Sequence, residues 1–394
     1  VIRPEDFAAQ LGAAGVSLYC GVPDSLLKEF NACVSGANPP AGHVIAANEG
    51  NAVGLAIGHY LRSGSPALVY LQNSGLGNTV NPLASLADPE VYGIPMLVLI
   101  GWRGQPGVPD EPQHRKQGRI TPALLDALEL PWAVLPRETE AAGEAVRKAV
   151  AHSVAAGTPY VLLVEKGTFA RAATEAGEIP GDEAPADGAD GAGGSTVLPS
   201  REEALIALAD ELGPGRVVVS STGMLSRELF EYRERTASGA GLDFLTVGGM
   251  GHASSIALGI ALHEPQREVW CLDGDGSLLM HLGALPVVAR HAPRTFFHVV
   301  FNNGVHDSVG GQPTSIDQVN VPALARSCGY RHAAGVSSPA ALPAGVAELR
   351  EAGGPALLEI RVRPGSRAGL GRPRATPAES RTATMLALAE QAAP

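Results

Sequence analysis

A chain of 394 residues, 45% hydrophobic, is long enough for two or three domains and apolar enough to fill their cores. A formal charge of −11 argues against a nucleic-acid protein, which needs a basic surface. Only 5% aromatic, with 48 glycines and 31 prolines, the composition suits a loop-rich α/β enzyme better than a β-sandwich, and no apolar run is long enough for a membrane span.

The first residues carry early charges (Arg3, Glu5, Asp6) and no signal-like apolar stretch, so a soluble cytoplasmic protein is expected. The four cysteines, Cys20, Cys33, Cys271 and Cys328, form no C-x-x-C pair and lack zinc-ligand spacing. They are expected to be reduced core residues.

In chain order, Arg3-Pro-Glu-Asp-Phe opens a helix leading to a β-prone run at 16–20. Further runs come at 43–46, 67–71, 96–100 and 160–164, with helical patterns at 51–61 and 138–155. Segment 171–199 then breaks the composition: Arg171 against six acidic residues gives it a net charge of −5, with many Gly, Ala and Pro and no aromatics. Such a stretch buries too little apolar surface to order itself and is read as an acidic linker. Nearly half of the net charge lies there, so the acidic balance says little about substrate.

After the linker, strands are expected at 217–220, 244–247, 268–272, 296–301 and 356–362, and helices at 202–212, 255–262 and 278–289. Continuous apolar strands separated by helices imply parallel sheets covered on both faces. The halves also share a layout: Ser200-Arg-Glu-Glu-Ala opens the second as Arg3-Pro-Glu-Asp-Phe opens the first, and 159–164 matches 355–360 at an offset of 196. The expected organisation is an α/β domain at 1–170, the linker 171–199, a second α/β domain at 200–365 and a tail at 366–394. Both domains are read as doubly wound parallel sheets, whose ligands gather at the carboxyl ends of strands.

Chemistry concentrates after the strand at 268–272, in Asp273-Gly274-Asp275-Gly276-Ser277, and after the strand at 296–301, in Asn302-Asn303-Gly304. A carboxylate and an amide at the ends of strands joined by one helical crossover suit Mg²⁺, which takes few protein oxygens plus phosphate oxygens. Glycines let backbone N–H groups approach a phosphate at a helix N-terminus. A dinucleotide fingerprint does not fit, because Leu occupies position 279.

Gly-Asp-Gly followed after 25 residues by Asn-Asn resembles the thiamine diphosphate (ThDP) enzymes. The resemblance implies two ThDP-type domains, one binding the pyrimidine and one the diphosphate. It implies Mg²⁺ held by Asp275, Asn303 and the Val305 carbonyl, with Gly274, Gly276, Ser277 and Ser308 around the cofactor. Thr222 and Gly223, in Ser221-Thr222-Gly223, match a cofactor-lining turn. In Gly248-Gly249-Met250-Gly251-His252, Met250 matches the residue that wedges the cofactor into its bent shape, and the Gly248 carbonyl matches the acceptor for its amino group. Taken alone, Met250 reads equally as a core residue. Glu49, in Asn48-Glu49-Gly50-Asn51, matches the carboxylate that activates the aminopyrimidine; a Glu in a first helical turn also simply complements the helix dipole. In the family these groups meet across a subunit interface, which implies a homo-oligomer.

Gly21-Val22-Pro23-Asp24-Ser25, Gln72-Asn73-Ser74-Gly75 and Asn303-Gly304-Val305-His306-Asp307-Ser308 resemble the branch that decarboxylates phosphonopyruvate, with the sulfopyruvate branch nearest to it. No middle domain is expected, since only the linker separates the halves. Asp24, Ser25 and Asn73 are expected at the substrate. For the phosphonate, Arg103 is the leading candidate and His114 shares its loop with Arg115, Lys116 and Arg119; Arg367 and Arg372 are weaker candidates. The paired histidines of pyruvate decarboxylases are replaced by Asn73-Ser74, so the donor of the proton that replaces CO₂ stays open between His306 and His114. A carboligase and a non-catalytic ThDP-binding regulatory protein remain as alternatives.

Overall fold

The computed structural model describes residues 1–36, 42–170, 198–236, 242–309 and 311–390. All but the last two positions of the acidic segment 171–199 lie outside them. The chain divides into two units, Val1–Pro180 and Gly181–Pro394.

Unit 1 runs α1 (Pro4–Ala13), β1 (Leu18–Gly21), α2 (Lys28–Val34), β2 (Gly42–Ile45), α3 (Glu49–Ser63), β3 (Ala67–Gln72), α4 (Leu76–Pro82), β4 (Met96–Gly101), α5 (Pro112–Ala127), β5 (Trp132–Val134), α6 (Thr139–Ala156) and β6 (Pro159–Val164). All five strand pairings are parallel, in the order β2-β1-β3-β4-β6-β5. β4 is buried along its whole length, as a strand with helices on both faces should be. One face carries an aromatic cluster of Phe7, Phe30, Phe169 and Tyr19, with ring centroids 5.3–5.9 Å apart. On α3, which packs on β1 and β3, the small residues Ala52 and Ala56 lie one turn apart, and the Cys20 thiol of β1 donates to the Ala52 carbonyl at 3.3 Å. Asn48 caps it by accepting from the Gly50 N–H at 2.8 Å, so Glu49 is its first residue.

Unit 2 runs α7 (Arg201–Leu212), β7 (Val217–Ser220), α8 (Met224–Thr236), β8 (Asp243–Leu245), α9 (Ala253–Ala261), β9 (Val269–Gly274), α10 (Asp275–Met280), α11 (Ala284–His291), β10 (Phe296–Asn302), β11 (Val305–His306), β12 (Gln312–Pro313), α12 (Val321–Ser327), β13 (His332–Val336), α13 (Leu342–Ala352), β14 (Ala356–Arg361) and α14 (Pro377–Glu390). β11 and β12 form a small antiparallel hairpin. The main sheet is parallel in the order β8-β7-β9-β10-β14-β13. With the hairpin set aside and strands counted from one in each unit, both sheets read 2-1-3-4-6-5, so the shared layout is one topology used twice. The helix start expected at Ser200 is sealed by a capping box, in which Ser200 and Glu203 bond reciprocally.

Four expectations need correction. The edge strands β5 and β13 do not show as strands in sequence, because β5 is only three residues long and β13, His332-Ala333-Ala334-Gly335-Val336, has one β-prone residue. The helix expected at 278–289 is two helices, α10 and α11, since His281 leaves the helical region and stacks on His252 at 4.5 Å. The basic segment 114–119, expected in a loop, lies on α5. Gly118 and Pro122 mask its periodicity; Gly118 is needed because a Cβ there would stand 1.8 Å from the Gly104 carbonyl oxygen. Of the four free cysteines, Cys20 and Cys271 are buried, whereas Cys33 and Cys328 are only half-buried.

Candidate active site

In unit 1 the candidate residues come after β1, β2, β3 and β4, so all of them gather at the carboxyl edge of the sheet. The order reverses between β1 and β3, which is where such sheets leave a crevice. Glu49 lies across α4: its Oε2 accepts from Asn78 Nδ2 at 2.7 Å, and Oε1 stands 2.1 Å from where a Cβ on Gly75 would be. Gly75 therefore has to be glycine for this carboxylate to reach its place.

Asp24 is 5% exposed. Its Oδ2 accepts from the Leu26 N–H at 3.0 Å, while Oδ1 is buried with no hydrogen-bond partner. Burial pushes the carboxyl above its ordinary range, against backbone N–H groups and Arg103 that favour the charged form. Gly101, at the end of β4, leaves the room: a Cβ there would fall 1.9 Å from Asp24 Oδ2. A carboxyl perturbed by burial at a strand-end crevice is a candidate for functional chemistry.

Arg103 and Ser25 come together, with Nη1 donating to the Ser25 hydroxyl at 2.7 Å. Nε and Nη2 each donate to Asp110, at 2.9 Å and 2.6 Å. Asn73 is buried and fully engaged: Nδ2 donates to the Arg103 carbonyl and to Thr121, and Oδ1 accepts from the Arg103 N–H. It holds the backbone that carries Arg103. His114 sits at the start of α5 and lines neither of the two cavities in this region.

In unit 2, β7 ends at Ser221-Thr222-Gly223, and the Thr222 hydroxyl donates to the Val247 carbonyl at 2.8 Å, tying this turn to the one that bears Gly248 and Met250. The Gly251 N–H donates to the Ser277 hydroxyl at 2.9 Å, tying that turn in its own right to the Gly-Asp-Gly loop. Asp275, 3% exposed, accepts from the Thr314 hydroxyl. Burial drives its carboxyl upward. The His306 ring lies against Gly276. Asn303 is held at both ends: Oδ1 accepts from the Val305 N–H at 3.1 Å, and Nδ2 donates to Asp307 at 2.7 Å. Ser308 is exposed in the next turn. A buried carboxylate, an amide oxygen and a backbone carbonyl are hard oxygen donors, the kind that suits Mg²⁺.

Sequence reasoning passed over the groups behind Asn303. Asp307 accepts from Arg201 Nη1 at 3.0 Å and from the Gly365 N–H at 3.0 Å. Arg201, 7% exposed, makes a two-point ion pair with Glu228 at 2.8 and 3.0 Å. Thr314, Asp110 and Lys166 were passed over as well. An Arg at the first position of a helix, where the dipole favours acids, was the available signal for Arg201. Arg367, a weaker candidate for the phosphonate, is paired instead with Glu202 and Glu231.

His252 is buried beneath the glycine turn, and burial, aided by its neighbour His281, lowers its pKa to about 3. The unfolded chain therefore takes up a proton, from about pH 6.5 downward, that the folded chain refuses. The stability given by the neutral ring is complete above that pH and is lost as pH falls toward 3. Urea unfolding at pH 7 and pH 5 should show a smaller loss of stability on acidification in His252→Gln than in the wild type.

Comparison with known proteins agrees with this geometry. The thiamine pyrophosphate enzyme N-terminal TPP binding domain matches residues 4–130, and the corresponding C-terminal TPP binding domain matches residues 221–360. The phosphonopyruvate decarboxylase of Streptomyces viridochromogenes is 40% identical over 392 residues, covering 96% of this chain and 93% of that protein. The sulfopyruvate decarboxylase of Methanosarcina acetivorans is 29% identical over 347 residues, covering 86% of each. Among solved structures, benzoylformate decarboxylase from Polynucleobacter necessarius superposes with a TM-score of 0.71 at 14% identity, covering 93% of this chain and all of that one, which is a likeness of fold. With one cofactor-binding domain of the family in each half and full-length relatives in it, the chain belongs to the thiamine pyrophosphate enzymes.

Proposed function

We propose that this protein catalyses the ThDP- and Mg²⁺-dependent decarboxylation of 3-phosphonopyruvate to phosphonoacetaldehyde and CO₂. The observation that carries the reading is the 40% identity to a phosphonopyruvate decarboxylase across 96% of the chain. Intact Glu49, Asp275 and Asn303 support a catalytic protein over a merely cofactor-binding one. The sulfopyruvate reading ranks second on its lower identity and coverage.

ThDP, when bound, supplies the electron sink for the departing CO₂. Asp275, Asn303 and the Val305 carbonyl would hold Mg²⁺, and Gly274, Gly276, Ser277 and Ser308 would surround the diphosphate. Thr222, Gly223, Gly248 and Met250 line the rest of the cofactor. Asp307 keeps the Asn303 amide from turning over: a carboxylate accepts from Nδ2 and repels Oδ1, so the oxygen stays on the side away from it. Glu49, on a helix N-terminus cleared by Gly75, would present its carboxylate to the pyrimidine and hold the proton there. Asp24, driven toward its neutral form by burial, is the acid–base group on the substrate side, with Ser25 and Arg103 beside it; His306 is the candidate from unit 2. The reading includes a homo-oligomer, each site being shared between subunits.

The direct test is CO₂ release from 3-phosphonopyruvate with and without ThDP and Mg²⁺, run beside sulfopyruvate; equal or faster turnover of sulfopyruvate would reverse the ranking. Glu49→Gln should lower kcat about a hundredfold or more while ThDP still binds. Near-normal turnover would remove Glu49 from its role. Calorimetric titration of the apo protein with ThDP and Mg²⁺ should show Asp307→Ala binding about tenfold or more weakly, as for other groups that orient a metal ligand.

A further inference from the structure

Sequence alone left open which basic residue meets the phosphonate, and the charges around one cavity of unit 1 point to one that was not among the candidates. The cavity, about 240 Å³, opens at the ends of β1, β4 and β6 and is lined by Ser25, Leu26, Trp102, Arg103, Asp110 and Lys166, among others. Arg103 is already committed. Its Nε and Nη2 form the two-point pair with Asp110, and Nη1 holds Ser25. The two charges cancel, and Arg103 holds the Asp110 carboxyl well below its ordinary range, so the pair stays ionised and neutral overall. Trp102 spends its one donor on the Gly118 carbonyl at 2.8 Å. Glu165, beside Lys166 in sequence, is itself paired with Arg137 at 3.0 Å. The Lys166 ammonium has no ion-pair partner among the described residues, and Lys166 is exposed. Among those residues it is the one uncompensated charge on the cavity wall.

We propose that Lys166 is the specificity-determining cation of this site, meeting the dianionic phosphonate while the Arg103–Asp110 pair shapes the wall without adding net charge. This rests on the phosphonate reading above. A doubly charged phosphonate is attracted about twice as strongly by one ammonium as a singly charged sulfonate at equal distance, since Coulomb energy scales with the charge product. A lysine is a compact point charge that asks for no paired geometry, so it selects by charge more than by shape.

The experiment uses holoenzyme, wild type, Lys166→Met and Lys166→Arg, with 3-phosphonopyruvate as substrate. Lys166→Met should raise KM about tenfold or more, the loss of one charge-assisted contact, with kcat within about twofold. Lys166→Arg should recover most of the wild-type KM. Discrimination between phosphonopyruvate and sulfopyruvate, read from kcat/KM or from sulfopyruvate as an inhibitor, should shrink in Lys166→Met. Wild-type KM should fall as the phosphonate loses its second proton, at a pH above the ~6 of phosphate esters because carbon withdraws less charge than an ester oxygen, and that dependence should flatten in Lys166→Met. Active wild type with an unchanged KM in Lys166→Met overturns this inference alone, as does a rise in KM that Lys166→Arg fails to reverse. Wild type inert toward phosphonopyruvate overturns the substrate reading and this inference together.

Discussion

A parallel sheet sends every strand out at the same edge, and that constraint organises both halves of this protein. Each strand returns through a helix on one face or the other. The loops leaving β1, β2, β3 and β4 therefore share one rim, as do those leaving β7, β8, β9 and β10. Both sheets use the order 2-1-3-4-6-5, and both reverse between their first and third strands. Asp24 and Asn73 flank that reversal in unit 1, and Thr222 and Asp275 flank it in unit 2. Ser25 and Arg103, 78 positions apart in sequence, thus become neighbours at one rim.

The carboxylates on these rims are treated differently. Glu49 is reached by an amide donor and kept clear by a glycine. Asp24 is buried with one oxygen unpartnered, which favours its neutral form. Asp275 is buried beside the Thr314 hydroxyl, where a cation would offset the cost of burial. Asp307 sits in a buried network in which Arg201 and Glu228 offset one another. A buried ion pair contributes little net stability against apolar replacements, but losing one partner costs about 3–5 kcal/mol. Such a network defines one arrangement of the loop after β10 more than it strengthens the fold. It also joins the first residue of α7 and the backbone at Gly365, just after β14, to that loop, so both bear on Asn303.

Much of this was legible in residue order. The buried strands stood out because each is a continuous apolar run with helix on both sides. The Gly-Asp-Gly and Asn-Asn pair stood out because small and oxygen-bearing residues at strand ends have few purely structural reasons to recur at that spacing. α5 was misread because Gly118 answers to a contact with Gly104, a residue 14 positions away, and not to its own helix. β5 and β13 were missed because one is only three residues long and the other is mostly alanine and glycine. Arg103 was read correctly as a strand-end residue, but its charge could not be discounted without knowing where Asp110 folds back.

The sequence by itself determined the number of α/β units, their shared topology, the family and the residue types at the two strand ends that carry the cofactor signature, because these depend on local periodicity and short spacings. The tertiary structure alone decided which charges remain uncompensated. Asp307 is claimed by Arg201 across 106 positions, Arg103 by Asp110 across seven, and Lys166 by no carboxylate among the described residues. Charge pairing depends on distance in space, which sequence separation does not report, and so the choice among basic residues waited for the fold.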